Sequence, residues 1–213
     1  MIKGVDLSEW NDNSTIAEMK NAGQQFAILR GAGTYRGKQA SVSIGYIYKD
    51  AHFNAFYDQA KRLNFPIGAY YYSTAGTAAD GRAERQFFYD NCLKGRKFEY
   101  PVYIDIEVTP KKYRKANTGA AVAFCEEMEK HRYYTGIYGS DINTFKEMLI
   151  YDLVTQYTLW VARYGKKPEY VKQYAMWQYT SKGAIVGIKG NVDRDECYTD
   201  FPKIMKGVHL NGY

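Results

Sequence analysis

The first half of the chain alternates between short apolar segments typical of strands and amphipathic segments typical of helices. In Lys49–Asn64 the apolar residues recur every three or four positions, which predicts a helix, and Pro66 marks its end. Buried strands are predicted on either side of such helices, for example at Phe26–Arg30 and Pro101–Glu107. Repeated strand–helix units predict parallel strands joined by right-handed crossovers.

The second half has a different rhythm. Strand-like segments recur at Tyr157–Ala162, Tyr174–Thr180 and Asn191–Asp193, and the gaps between them are too short for packed helices. Five β/α units followed by three strands provide eight strands, which is enough to close a barrel. The predicted fold class is therefore α/β, an irregular TIM-like (β/α)5(β)3 barrel in a single domain. An open doubly wound sheet is the main alternative.

Composition excludes several classes of protein. With 213 residues, 46% hydrophobic and 24% charged, the chain is neither disordered nor fibrous. No apolar run approaches the roughly 18 residues of a membrane helix, so no membrane insertion is expected. Met1–Asp6 leads directly into a strand without the apolar stretch of a secretory signal, which predicts synthesis in the cytoplasm. Three scattered cysteines are expected to be reduced thiols in or near the core.

The formal charge of +6 favours an acidic partner, although the sign alone is weak evidence. The densest basic cluster, Lys111–Lys115, is predicted to be a solvated loop. Nucleic acid is not an expected partner, since the chain has no helix-turn-helix, zinc-finger or RNP-type pattern.

Acidic and aromatic residues gather where the predicted strands end, which is where β/α barrels carry their chemistry. Asp6 ends the first strand, Asp105 and Glu107 end the fourth, and Asp193 lies on the last. Aromatic residues follow the other strands, and the chain has 22 tyrosines in all. Sugar rings present apolar C–H faces that stack on such side chains, so a carbohydrate substrate is consistent with this composition.

The spacing of Asp105 and Glu107 is informative because residues i and i+2 of a strand face the same side. Two neighbouring carboxylates push their pKa values apart, which leaves one protonated near neutral pH. Glycosidases use such a pair across the bond that they cleave.

Each of these residues also has a structural interpretation. Asp6 could cap a following turn, and Asp193 could belong to a solvated Asp193–Glu196 loop. Most tyrosines could pack in the core or at the barrel rim. The acids could bind Ca²⁺ or Mg²⁺, but no compact ligand loop is visible, so no metal or other cofactor is predicted. Dinucleotide, P-loop, HExxH and GxSxG motifs are absent from the sequence.

Taken together and in order, the motifs resemble glycoside hydrolase family 25, the Chalaropsis-type lysozymes or N-acetylmuramidases, which are common as phage endolysins. The blocks that carry the resemblance are Lys3–Trp10, Phe26–Arg30, Ile67–Tyr72, Val102–Glu107, Gly136–Ser140, Leu159–Tyr164, Met176–Ser181 and Gly187–Asp193. The third strand departs from the family pattern, because Tyr71 stands where His is frequent.

The resemblance implies a (β/α)5(β)3 barrel that cleaves the β-1,4 bond between N-acetylmuramic acid and N-acetylglucosamine in peptidoglycan. It implies that Glu107 is the general acid, that Asp105 is a nucleophile or positions the substrate's acetamido group, and that Asp6 and Asp193 complete an acidic floor. Substrate-binding residues expected on the same basis are Tyr70, Tyr138, Trp160, Tyr164, Trp177, Tyr179 and Arg30.

This interpretation assigns residues 1–205 to the catalytic domain and residues 206–213 to a short C-terminal tail. The expected partners are bacterial peptidoglycan and anionic wall polymers, reached after release from the cytoplasm. Two alternative functions remain open. The protein could be a catalytically inactive glycan-binding module, or a glycosidase that acts on another amino-sugar polymer such as chitin.

Overall fold

The computed structural model describes residues 1–12, 14–35, 46–186, 188 and 190–213. Nine strands within these ranges form one sheet. They are β1 (Ile2–Leu7), β2 (Phe26–Tyr35), β3 (Tyr46–Lys49), β4 (Ile67–Ser73), β5 (Val102–Ile106), β6 (Thr135–Ser140), β7 (Thr158–Ala162), β8 (Met176–Gly183) and β9 (Val192–Cys197).

The described residues form five α-helices, of which the last packs through Phe201 and Met205 against the cluster inside the barrel. They are α1 (Ile16–Asn21), α2 (Phe53–Arg62), α3 (Ala78–Phe88), α4 (Arg114–Lys130) and α5 (Phe201–Gly207). Side chains cap several of them, for example Thr15, which accepts from the backbone N–H of Glu18 at the start of α1. Among the described helices, none has the length and apolar character needed to cross a membrane.

The sheet closes into an eight-stranded barrel because β1 pairs with β2 on one side and with β9 on the other. The remaining order runs β9, β8, β7, β6, β5, β4 and β2, and all neighbours from β4 to β8 are parallel. The predicted TIM-like barrel of a single domain is confirmed, and the open doubly wound sheet is excluded.

Three features of the sheet differ from the expectation. Strand β2 continues to Tyr35 and pairs with β3, an additional antiparallel strand outside the barrel ring. The fifth β/α unit has a π-helical segment, Asn143–Met148, where the others have an α-helix. The last strand, β9, runs antiparallel to both neighbours. The link of residues 184–191 between β8 and β9 is shorter than the dozen or so residues that a parallel crossover needs.

The basic cluster Lys111–Lys115 is exposed, as predicted, but it is not a loop. Lys111–Tyr113 form a 3-10 turn, and α4 begins at Arg114. The side-chain amide of Asn117 donates to the carbonyl of Pro110 at 2.9 Å, which ties the turn to the first turn of α4. The prediction of an irregular loop at this position is wrong.

Alternation along each strand divides the core into two layers. On β5 the side chains of Val102, Ile104 and Ile106 pack outwards against the helices, in the larger of the two apolar clusters. The intervening side chains, such as Tyr103, point into the barrel, in the smaller cluster that also holds Trp160. The period of two therefore places every second residue of a strand inside the barrel.

The C-terminal segment packs against the barrel. The predicted boundary between residues 205 and 206 falls inside α5. Asn211 is fully buried, and its side chain donates to the carbonyl of Tyr100 and accepts from the N–H of Tyr134. Residues 208–213 are thus held at the N-terminal ends of β5 and β6 and are not a free tail.

Candidate active site

A cavity of about 400 Å³ opens at the C-terminal ends of the strands. Inward-facing positions of β1, β2, β4, β5, β6, β7, β8 and β9 all contribute to it, because the closed barrel directs them to one axis. Its described lining residues are Asp6, Ser8, Trp10, Arg30, Tyr35, Tyr48, Tyr70, Tyr72, Asp105, Glu107, Tyr138, Trp160, Tyr164, Gln178 and Asp193. All four predicted carboxylates are therefore in one cavity.

Asp105 and Glu107 lie at the end of β5. Asp105 is buried, and its Oδ1 atom has no hydrogen-bond partner among the described residues. Burial, followed by the repulsion of Glu107, raises the pKa of Asp105 well above its ordinary value. Asp105 therefore retains a proton far more readily than a carboxyl group in water.

Glu107 stands one residue beyond the strand, at the open mouth. The residue is exposed, yet protein atoms surround its carboxyl group closely enough that burial is the largest cause raising its pKa. The charge of Asp193 raises the pKa of Glu107 further, and a hydrogen bond from Tyr138 lowers it. A group that is accessible to a ligand and still holds a proton can act as a general acid.

A second cavity of about 400 Å³ begins at Glu107 and Tyr164 and continues along residues 140–143. Glu107 and Tyr164 thus stand where two cavities meet. A polymer lying across both would pass directly over the Glu107 carboxyl group.

Asp6 and Asp193 are directly opposite each other in the β1–β9 ladder. Burial raises the pKa of Asp6 well above its ordinary value, and the charges of Asp193 and Asp195 add to this effect. Burial also raises the pKa values of Asp193 and Asp195, and the interaction with Asp6 lowers them, so the three carboxyl groups titrate together. Ser8, and not Asp6, caps the turn that follows β1, so the turn-cap interpretation of Asp6 is wrong.

Asp195 is a site residue that the sequence did not single out. It is fully buried, and its Oδ1 accepts from the indole N–H of Trp160 at 2.8 Å. The interpretation of Asp193–Glu196 as a solvated loop is wrong, since these residues form β9. Alternation along β9 was the available signal, because Asp195 follows Asp193 by two positions.

Gln178 was also missed, although it connects the acids to the aromatic wall. Its side-chain N–H donates to Asp6 Oδ2 at 2.8 Å. Its Oε1 lies 2.8 Å from the hydroxyl of Tyr138 and 3.1 Å from that of Tyr164. The Tyr138 hydroxyl lies 2.8 Å from Gln178 and also lowers the pKa of Glu107, so it connects Gln178 to that carboxyl group.

Trp177 and Tyr179 do not line the cavity, contrary to the prediction. They flank the inward-facing Gln178 on β8 and so occupy its other face. Their rings pack 5.7 Å apart, and the indole N–H of Trp177 donates to the carbonyl of Arg163 at 2.8 Å. The remaining predicted aromatic residues, Tyr70, Tyr138, Trp160 and Tyr164, all reach the cavity.

Arg30 lines the cavity, and its guanidinium group already forms ion pairs with two carboxylates. Its guanidinium pairs with Asp50 at 2.8 Å and with Glu9 at 2.7 Å. It therefore fixes the loop after β1 and leaves the central acids without a dedicated counter-ion. Among the described residues, no group of three or more His, Cys, Asp or Glu side chains could hold a metal ion.

The match to a family model covers residues 5–188 and has the description "Glycosyl hydrolases family 25". The chain belongs to glycosyl hydrolase family 25. The matched region runs from β1 to the link before β9, so it contains Asp6, Asp105 and Glu107 but ends before Asp193.

Curated relatives include the autolytic lysozyme of Clostridium acetobutylicum, 25% identical over 92% of this chain, and lysozyme M1 of Streptomyces globisporus, 23% identical over 92%. The chain spans 55% of the length of the clostridial protein and 67% of the Streptomyces protein.

Solved family 25 structures share the fold. The CTP1L endolysin superposes with a TM-score of 0.80 and 26% identity, covering 97% of this chain and 70% of that one. A family 25 glycosyl hydrolase from Bacillus anthracis has a TM-score of 0.76 and 21% identity, with 97% of this chain and 93% of that chain covered.

Proposed function

We propose that this protein is a lysozyme of the N-acetylmuramidase type, which hydrolyses the β-1,4 bond between N-acetylmuramic acid and N-acetylglucosamine in peptidoglycan. The observation that carries the proposal is the Asp105–Glu107 pair, two carboxyl groups with raised pKa values that line one cavity, with Glu107 at its junction with a second. Membership of family 25, with relatives named lysozymes, supports the same bond class.

In this proposal Glu107 protonates the glycosidic oxygen as the bond breaks. Its raised pKa keeps it protonated at a higher pH than an ordinary glutamate, and its exposure lets the substrate reach it. The Tyr138 hydroxyl stabilises the carboxylate that forms when the proton leaves, because hydrogen bonding favours the charged form.

Asp105 acts on the sugar side of the same bond, either as nucleophile or by orienting the substrate's acetamido group. The position of Asp105 in the cavity lining supports both roles, since its carboxyl group lies beside the space that a sugar would occupy. When Glu107 gives its proton to the substrate, Asp105 stays buried, and burial continues to favour its protonated form. A protonated carboxyl group can donate to an acetamido oxygen, and this favours the positioning role.

The cavity lining suits a glycan. Eight of its fifteen described lining residues are Tyr or Trp, and they provide faces for the C–H surfaces of sugar rings. Exposed Trp10 and Tyr35 extend this aromatic wall beyond the barrel ring, which is consistent with a polymer of several sugars.

The test is digestion of defined peptidoglycan followed by mass spectrometry. New reducing ends on N-acetylmuramic acid would support the proposal. Reducing ends on N-acetylglucosamine, or cleavage of chitin oligomers in preference to peptidoglycan, would assign another glycosidase activity. Wall binding without any cleavage would favour the inactive binding module.

We further infer a phage-endolysin type of use, in which the protein is made in the cytoplasm and reaches the wall after release. The likeness to the CTP1L endolysin supports this. Residues 1–205 with the packed segment 206–213 would then act together as the catalytic domain.

A further inference from the structure

A further, chemically different cavity lies at the other end of the barrel. It has a volume of about 360 Å³ and is lined by residues that precede β5 and β6, together with the C-terminal segment. Since the carboxylates lie at the C-terminal ends of the strands, this basal cavity is on the opposite face of the molecule. Its basic lining residues are Arg96, Lys97, His131, Arg132 and His209.

No acidic side chain is among the described residues that line the basal cavity. Glu99, two residues after Lys97, is engaged by Lys61 at 2.8 Å and by the hydroxyl of Tyr213. The three fixed positive charges of the cavity, on Arg96, Lys97 and Arg132, therefore have no ion-pair partner within the described residues.

Each of these cations is held in place by neutral groups only. Arg96 donates to the carbonyl of Cys92 and to Asn54 Oδ1, both at 2.9 Å. Arg132 donates to the carbonyl of His209 at 3.3 Å, and Lys97 lies over the Tyr213 ring at 5.2 Å. These contacts orient the charges without neutralising them, unlike Arg30 at the mouth.

The backbone around the basal cavity is fixed in uncommon conformations. Arg132, His209 and Asn211 have φ values of 63°, 54° and 55°, in the left-handed region that non-glycine residues rarely adopt. Gly212 has a φ of 89°, and a Cβ atom there would come within 2.2 Å of the Arg96 carbonyl oxygen. The buried side chain of Asn211 anchors this arrangement, so the cations are presented by a rigid surface.

We propose that the basal cavity binds the phosphate groups of a wall phosphodiester polymer and thereby holds the enzyme on its substrate. Guanidinium groups match phosphate oxygens in geometry, and an anion would relieve the repulsion between the three cations. Lys97 and Arg132 are exposed, so an extended polymer can enter. The assignment to the wall rests on the proposed function, whereas the binding of phosphate does not.

Nucleic acid is a poorer fit because the cavity offers no free aromatic face for stacking bases. The Tyr89 ring is stacked on His131 at 4.1 Å, and Tyr133 is buried. The Tyr213 ring is contacted by Lys97 and Lys206. The site recognises phosphate charge and lacks the elements that recognise bases.

Binding of a defined poly(glycerol phosphate) oligomer, measured by calorimetry at several salt concentrations, tests the proposal. The variant combines Lys97→Gln with Arg132→Asn, since asparagine tolerates the left-handed backbone at position 132. The matched control combines Lys115→Gln with Lys172→Gln, two exposed lysines outside the cavity. Both variants lose two positive charges, and thermal melting checks their folding.

The cavity variant is expected to bind the oligomer about 10-fold more weakly than the wild type, with a salt dependence reduced by roughly 1.5 log units per decade. The control is expected to stay within about two-fold. Equal weakening in both variants would overturn the proposal, because net charge alone would then explain binding. Binding of single-stranded DNA with the same number of phosphates as tightly as the oligomer would also overturn it, as would affinity no greater than that for inorganic phosphate.

Hydrolysis of a soluble glycan fragment without attached polymer separates this inference from the proposed function. All three proteins should hydrolyse it equally, while walls that carry the polymer are cleared more slowly by the cavity variant. If none hydrolyses it, the muramidase proposal fails and the calorimetry still decides whether the cavity binds phosphate.

Discussion

The two ends of the barrel differ in how deeply their ionisable side chains are buried. At the C-terminal end the carboxyl groups of Asp6, Asp105 and Asp195 are buried, and their pKa values are raised well above the ordinary range. At the N-terminal end the basic side chains of Lys97 and Arg132 are exposed. Burial converts acids into groups that hold protons, whereas exposure leaves cations that attract anions.

The comparison explains how a chain with a formal charge of +6 can have an acidic centre. The acids of the mouth are close enough to suppress one another's ionisation, so their negative charge is smaller than their number suggests. The basic residues that make up the surplus lie elsewhere, and some of them concentrate at the base. The following experiments act on one end or the other.

Glu107→Gln is expected to give the largest effect. It keeps the shape of the side chain and removes the proton donor, so hydrolysis of peptidoglycan should fall about 10³-fold or more, within the range for general acids. Melting temperature should change little, because the residue is exposed. Glu126→Gln on the exposed face of α4 is the matched control. Turnover near the wild-type rate in Glu107→Gln would rule out the assigned role.

Glu84 on α3 tests, outside the active-site cavity, whether burial raises the pKa of a carboxyl group. It is buried, accepts hydrogen bonds from Thr34, Ser73 and Thr74, and burial raises its pKa from 4.5 to about 7. The protonated form is favoured in the fold, so its contribution to stability is complete below about pH 4.5 and is lost as the pH rises through 7. The free energy of unfolding should fall by about 3 kcal/mol more in wild type than in Glu84→Gln over this interval.

Chemical denaturation at intervals between pH 4.5 and 8 measures the difference between the two proteins. Glu126→Gln, again exposed, should follow the wild-type curve. Parallel curves for Glu84→Gln and wild type would show that burial does not hold the proton at this position.

Asp6→Asn should sharpen the comparison by removing one of the mutually repelling acids. Asparagine Oδ1 can still accept from Gln178, and the repulsion from Asp193 and Asp195 is lost. Because the pKa of Asp6 is raised, its ionisation destabilises the fold as the pH rises, so the variant should gain about 1–2 kcal/mol at pH 8 and little at pH 4. Denaturation at both pH values, with exposed Asp58→Asn as control, checks this. A loss of stability at pH 8 would contradict it.

Tyr138→Phe is expected to have the smallest effect, a displaced pH profile. The Tyr138 hydroxyl lowers the pKa of Glu107, so its removal raises that pKa. Activity requires protonated Glu107, and the alkaline limb of the profile should therefore move to higher pH, by about one unit or less. Tyr164→Phe also loses a hydroxyl that reaches Gln178, but this hydroxyl is not hydrogen-bonded to Glu107. An equal displacement in both variants would count against a direct Tyr138–Glu107 bond.

Much of the site was readable from the sequence because alternation along a strand is a local property. The order of strand and helix signals predicted the barrel, and the i, i+2 spacing placed Asp105 and Glu107 on one face. Asp6 could be placed near the end of the first strand, whereas Asp193 lies near the start of β9 and reaches the mouth because that strand is antiparallel.

The features that the sequence did not predict depend on pairing between strands that are far apart in the chain. Four of the six residues of β9 are charged, a composition typical of exposed loops, and only its position between β1 and β8 makes it a strand. On β8 aromatic residues flank Gln178, so hydrophobicity could not show which face points inwards. That choice is set by the register of β8 against β7 and β9, which excluded Trp177 and Tyr179 from the cavity.

The pairing of β1 with β9 has a consequence for the timing of synthesis. Asp6 emerges from the ribosome before β2 to β8, but its partner Asp193 follows only after all of these strands have been translated. Until then β1 lacks one neighbour, and Trp160 lacks the carboxylate that accepts its N–H. The acidic centre can therefore be completed only after β9, the last strand of the barrel, has been translated. A nascent chain that ends before β9 cannot assemble the acidic centre. Chemistry at this centre can therefore begin only after β9 has been translated.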